Sequence, residues 1–153
     1  MRTRTIVLTV VTCFIGLTLC FAADSPHMGT WKLNEAKSKL SPGLPKNTTV
    51  VIEAAGDQVK VTVDGVDADG KPTHNEWTGK FDGKDYPVTG DPSSDARSYK
   101  QVDDRTLGLA VKKDGKTTMS GQIVVSADGK TRTSNVGRAD APSKKSKAVY
   151  DKQ

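Results

Sequence analysis

Cysteine is almost missing from this 153-residue chain: only Cys13 and Cys20 occur, both near the start. The disulfide framework that staples many small exported domains therefore cannot be built from the rest. Aromatic residues are scarce at 5%, and beyond the N-terminal segment only Trp31, Trp77, Phe81, Tyr86, Tyr99 and Tyr150 remain, so a fully solid core is hard to fill. After that segment no run approaches the roughly 20 apolar residues of a membrane-spanning helix. Histidine is limited to His27 and His74, and neither a Gly-x-Ser-x-Gly elbow nor a phosphate loop occurs. Nucleophilic catalysis lacks its nucleophile–base pair, so no enzyme, cofactor or metal is expected.

What the chain does have begins with a leader. Residues 1–23 combine Arg2 and Arg4, an apolar run over residues 6–19, and Cys20-Phe21-Ala22-Ala23. This is the anatomy of a secretory signal peptide, with cleavage expected after Ala22. Lipid anchoring at Cys20 is disfavoured by the bulky Leu19 before it. Residues 1–22 are thus read as a signal peptide and residues 23–153 as one secreted or periplasmic domain, within the usual size of a single domain. Loss of Arg2 and Arg4 lowers the formal charge from +5 to +3, a mild basicity that favours no nucleic-acid partner. A monomer is expected.

Turn signals then count out the architecture. Asp-Gly-Lys occurs at Asp69-Gly70-Lys71, Asp82-Gly83-Lys84, Asp114-Gly115-Lys116 and Asp128-Gly129-Lys130, and Gly56-Asp57 and Asp103-Asp104 add two more. Asp-Gly between alternating segments is a strong hairpin signal because Gly accepts positive φ. Val59, Val61 and Val63, then Leu107, Leu109 and Val111, then Met119, Gly121, Ile123 and Val125 each form one face of a half-buried strand. The class is all-β: an antiparallel up-and-down meander of about eight to ten strands, which removes its exposed edges by closing into a barrel. Residues 35–40 form one short helix at most.

Directly paired residues share a side of the sheet, so loop length sets what points inward. A two-residue Gly56-Asp57 loop pairs Ile52 with Val61 and Val50 with Val63. A three-residue loop at Asp114, with a bulge at Gly115 or its neighbour, pairs Val111 with Met119. A three-residue loop at Asp128 turns Thr133 and Asn135 inward. Around Asp103-Asp104, Arg97 and Gln101 come to the side of Tyr99. Trp77 and Phe81 face the core. Arg97, Tyr99, Gln101, Trp77, Phe81, Thr133 and Asn135 are accordingly the candidate ligand-binding set, because a buried arginine must meet a carboxylate, water or a ligand.

Other features have plainer readings. His74 and Glu76 share a strand face but lack a third metal ligand. Asp64-Gly65-Val66-Asp67-Ala68-Asp69-Gly70 has a calcium-loop flavour but misplaces the first ligand position, so it reads as a turn. Residues 138–147 read as a solvated basic connection with no aromatics for base stacking. Asn47-Thr48-Thr49 is a glycosylation sequon.

Met28-Gly29-Thr30-Trp31-Lys32-Leu33-Asn34 resembles the Gly-x-Trp opening of lipocalin and calycin barrels. With Lys37-Ser38-Lys39 behind it and Ala148-Val149-Tyr150-Asp151 near the end, the domain is similar to small secreted bacterial lipocalin-like proteins of unassigned role. Thr-Asp-Tyr and C-terminal Arg motifs are missing. The resemblance implies a lipocalin-like barrel over residues 23–153, with Gly29 and Trp31 as a structural plug at one end. With the inward Arg97 set, such a barrel is expected to be a non-catalytic protein that binds a small amphipathic or acidic ligand. The alternative is an interaction module with a filled barrel and no small-molecule ligand.

Overall fold

A computed structural model describes residues 25–153; the expected signal peptide, its cleavage point and both cysteines lie outside the described residues. Ten strands follow one another: β1 Gly29–Leu33, β2 Lys46–Ala55, β3 Gln58–Val66, β4 Pro72–Gly79, β5 Tyr86–Thr89, β6 Ala96–Asp103, β7 Thr106–Lys113, β8 Lys116–Val125, β9 Thr131–Arg138 and β10 Lys145–Lys152. Each pairs antiparallel with the next, and β1 also pairs with β10 through Trp31↔Lys152, Lys32↔Asp151 and Leu33↔Tyr150, closing the barrel. Closure satisfies the backbone groups that an open meander would leave along its two edges. The short helix shrinks to one 3₁₀ turn, Glu35–Lys37, capped by the Asn34 side chain and burying no residue that would reward its extension.

One hairpin has the expected register, one keeps its expected pairing on a shorter turn, and one reverses the expected face. Gly56-Asp57 is a two-residue turn, with Ile52 opposite Val61 and Val50 opposite Val63 as expected. Val111 does face Met119, but Lys113 pairs directly with Lys116 across a two-residue Asp114-Gly115 turn, and the extra residue is Thr118. The bulge therefore sits beyond the turn, where the Thr118 hydroxyl donates to the Val111 carbonyl at 3.2 Å.

At Asp128 the loop is one residue longer than its Asp-Gly-Lys core. Ser126 pairs with Thr131 through a 2.8 Å backbone bond, and the Asp128 carboxylate accepts from the Ser126 hydroxyl and from the Lys130 amide. Gly129, at φ 70°, makes the left-handed step. Val125 then pairs with Arg132 and Ile123 with Ser134. One residue of slip exchanges the two faces of β9: Thr133 and Asn135 do not line the interior, and Arg132, Ser134 and Val136 do. The basic connection also shortens, since Arg138 ends β9 and Lys145 starts β10. Lys147 exchanges two backbone hydrogen bonds with Lys39.

The barrel interior divides into two halves. Trp31, Ile52, Val59, Val61, Trp77, Leu107 and Val125 are buried and pack one end solid. Trp31 is wholly buried and donates from Nε1 to the His27 carbonyl at 2.8 Å. Gly29, at φ 111°, carries the chain into β1, and any Cβ there would press on the Lys152 side chain, whose ammonium lies 5.1 Å from the Trp31 ring centroid. Trp77 stacks on Phe81 and meets Tyr86 and Tyr99 edge-on, with centroids 6.3, 5.7 and 4.7 Å away.

His27 closes this end. It is 1% exposed, lies edge-on to Phe81, and has no partner for either ring nitrogen among the described residues. Burial first, then the nearby Arg132 charge, depresses its pKa to about 4, with Asp103 acting weakly in the opposite direction. Between pH 6.5 and 4 the unfolded chain binds this proton and the folded chain does not, so acidification destabilises the fold. By linkage the His27 contribution to that loss is about 3 kcal/mol. Urea unfolding at pH 7 and pH 4.5 is expected to show a markedly smaller pH-dependent loss for His27→Phe than for the natural protein. Equal losses would place the imidazole in water.

Candidate ligand-binding cavity

Above the aromatic floor the barrel is open. A cavity of about 550 Å³ reaches from Tyr99, Ile123, Arg132 and Tyr150 to a mouth at Leu44, Pro45, Asp67 and Asp91. Its size follows from the residues available. The upper halves of the strands supply Val50, Val63, Leu109, Val111, Met119, Val136 and Ala148, all smaller than the indoles below. A pocket of this volume lies within the range that holds a small molecule.

Two guanidinium groups are buried in its wall. Arg97 enters from β6 at 8% exposure, beside Asn75 on β4 and Asp91 in the β5–β6 loop. Its Nη2 lies 3.4 Å from Asn75 Oδ1 and 3.8 Å from Asp91 Oδ2, and its Nε has no partner among the described residues. Burial pushes the Asp91 carboxyl up, but hydroxyls of Ser93 and Ser94 and the Ser93 amide outweigh it, and the net shift is downward. Arg97 thus has a weak, distant counter-charge near the mouth.

Arg132 has less. It is 4% exposed, its Nε is unpartnered, and no ion pair engages it among the described residues. Its guanidinium carbon lies 5.5 Å from the Tyr150 ring centroid. Burial lowers its pKa, opposed only by the phenols of Tyr150 and Tyr99. The Tyr150 hydroxyl is itself pushed up, chiefly by burial, so it stays a neutral donor. Such a cation is stabilised by a π face far less than by a carboxylate.

The other expected residues fall in different places. Tyr99 lines the cavity. Gln101 shares its strand face but lies at the opposite end of the barrel, where it is exposed opposite Leu107. Trp77 and Phe81 belong to the packed half and not to the cavity wall. Asn47 of the sequon sits at the mouth. His74 is exposed on the outer face, 2.6 Å from Asp64, and Asp67 accepts from the amides of Asp69 and Lys71 within its own turn.

Arg132, Tyr150, Ser134 and Asn75 were not anticipated. Val136 carried the available signal: taking it as inward brings Arg132 and Ser134 with it, and Asn75 shares the alternating face of Trp77.

A buried cation without a matched anion is costly, and an apolar replacement of similar volume removes that cost. Arg132→Met is expected to leave the ligand-free protein as stable as the natural one or to stabilise it by up to about 4 kcal/mol. Denaturant unfolding checks this. Destabilisation by more than about 1 kcal/mol would assign Arg132 to holding the fold together.

No family model and no curated protein matches the sequence. Among solved structures, the backbone is similar to a redesigned beta barrel, mFAP1, bound to DFHBI, over 86% of this chain and 99% of that one, at 16% identity and a TM-score of 0.49. It is also similar to EF1p2_mFAP2b bound to DFHBI, over 86% and 98% at 12% identity and a TM-score of 0.44. A de novo designed fluorescence-activating beta barrel covers 86% of this chain and 98% of its own, at 15% identity and a TM-score of 0.44. Values this low describe a shared barrel outline and transfer no residue and no ligand to this chain.

Proposed function

We propose that this protein is an exported, lipocalin-like, non-catalytic barrel, secreted or periplasmic, that takes up a small amphipathic or acidic molecule in its cavity. The observation that carries this reading is the pair of buried guanidiniums, Arg97 and Arg132, in a wall that also holds Val50, Val63, Leu109, Val111, Met119 and Val136. Apolar lining favours an apolar body, and the two cations favour an acid group on it. A filled interaction module is disfavoured by the open volume of about 550 Å³.

The test is calorimetric titration of the exported form with dodecanoate and with dodecanol. The acid is expected to bind about tenfold or more tightly than the alcohol, and the Arg97→Met/Arg132→Met double variant should lose that preference while keeping its circular dichroism. Binding should also change little between low and high salt, since buried contacts are poorly screened. Equal binding of acid and alcohol by the natural protein, or a steep salt dependence pointing to the exposed lysines, would defeat the proposal.

A further inference from the structure

The two guanidiniums are not equivalent, and their difference orients the occupant. Arg97 already has Asn75 and Asp91 in front of it, on the side of the mouth. Arg132 has no carboxylate among the described residues and sits with Tyr99 and Tyr150 at the deep end, close enough to the closing His27 for its charge to act on that ring. Further along β9, Ser134, Val136 and then Arg138 line the path outward. At about 3.3 Å per residue Val136 lies about 13 Å and Arg138 about 20 Å from Arg132 along the strand.

Arg138 at the rim is already held by both oxygens of Asp140, each at 2.9 Å. Leu109, Val111, Met119 and Val136 form apolar wall above Arg132. The unmatched charge is therefore at the bottom of a greasy shaft, and the cations nearer the mouth have acidic neighbours.

Resting on the cavity-binding reading above, we infer that the occupant is a single-headed anionic amphiphile bound head-inward, its acid group on Arg132 between the Tyr99 and Tyr150 rings and its apolar tail directed to the mouth. An acid group there gains charge-assisted bonds from a guanidinium that has no competing anion. A tail placed at the bottom instead would leave Arg132 unmatched against hydrocarbon.

Both tryptophans, Trp31 and Trp77, lie in the packed half beneath the cavity, Trp77 in edge contact with Tyr99, so tryptophan emission reports which end of a ligand is deep. Bromine quenches indole fluorescence only at close range, and the probes are 2-bromododecanoate and 12-bromododecanoate. With calorimetry confirming that each binds, the 2-bromo acid is expected to quench several-fold more strongly than the 12-bromo acid. Arg132→Met should weaken dodecanoate binding by about tenfold or more, with dodecanol unaffected. Stronger quenching by the 12-bromo acid, equal quenching by both, or undiminished dodecanoate affinity in Arg132→Met would overturn the orientation while leaving cavity binding intact. Failure of both acids to bind the natural protein would overturn the orientation and the cavity reading together. The quenching comparison uses the natural protein, so it holds whether or not the variant folds.

Discussion

Everything in this molecule depends on the seam between β1 and β10. Without the Trp31↔Lys152 to Leu33↔Tyr150 pairing the meander is an open sheet with two exposed edges, and its inward face has no interior to enclose. Once the seam is made, strand alternation forces every second side chain into one shared space. What fills that space is then a matter of side-chain size. The indoles and Phe81 are grouped at one end, where Trp77 packs against Phe81 and Tyr99. The other end receives mainly Val, Leu, Met, Ser and Thr, which leave it hollow.

The hollow half is where the fold departs from what stability alone favours. An arginine that is 4% exposed without a carboxylate among the described residues is a liability to the barrel alone, offset in part by the Tyr150 ring. His27 is a second, smaller liability, a neutral imidazole at the closed end with no hydrogen-bond partner among the described residues. The two are connected, because the Arg132 charge helps keep His27 unprotonated. An anion brought to Arg132 would supply the missing counter-charge there and weaken the coulombic part of the His27 shift, while the larger cause, burial, remains. Strained or unmatched polar groups of this kind are where local rules are broken for function.

The barrel was legible in the sequence because its turns are chemically explicit. Gly56-Asp57 announces a two-residue hairpin, Asp114-Gly115 announces a turn but not its length, and the valine alternation on β2 and β3 leaves one register. The site was only half legible, for reasons of loop length. Around Asp103-Asp104 the apolar partners Leu107, Leu109 and Val111 bring Arg97 and Tyr99 inside. After Asp128 no such alternation constrains β9, since Arg132, Thr133, Ser134 and Asn135 are all polar. The Ser126 and Asp128 side chains lengthen that loop by bonding within it. The face of β9 is therefore set by the length of that loop, and the register that turns Thr133 and Asn135 inward places Arg132, the residue that matters most, outside. Depth along a strand was the other thing that alternation could not show: Gln101, Trp77 and Phe81 lie on or near the expected face but below the cavity.

The central claim is that Arg132 is held unmatched so that an acid group can meet it at the bottom of the barrel. A crystal structure of the protein with dodecanoate tests this most directly. It should place a carboxylate oxygen about 2.7–2.9 Å from the Arg132 guanidinium, with the alkyl chain running past Val136 toward Leu44. A carboxylate at the mouth beside Arg97 or Arg138 with the chain pointing inward, or density confined to the outside of the barrel, would contradict it.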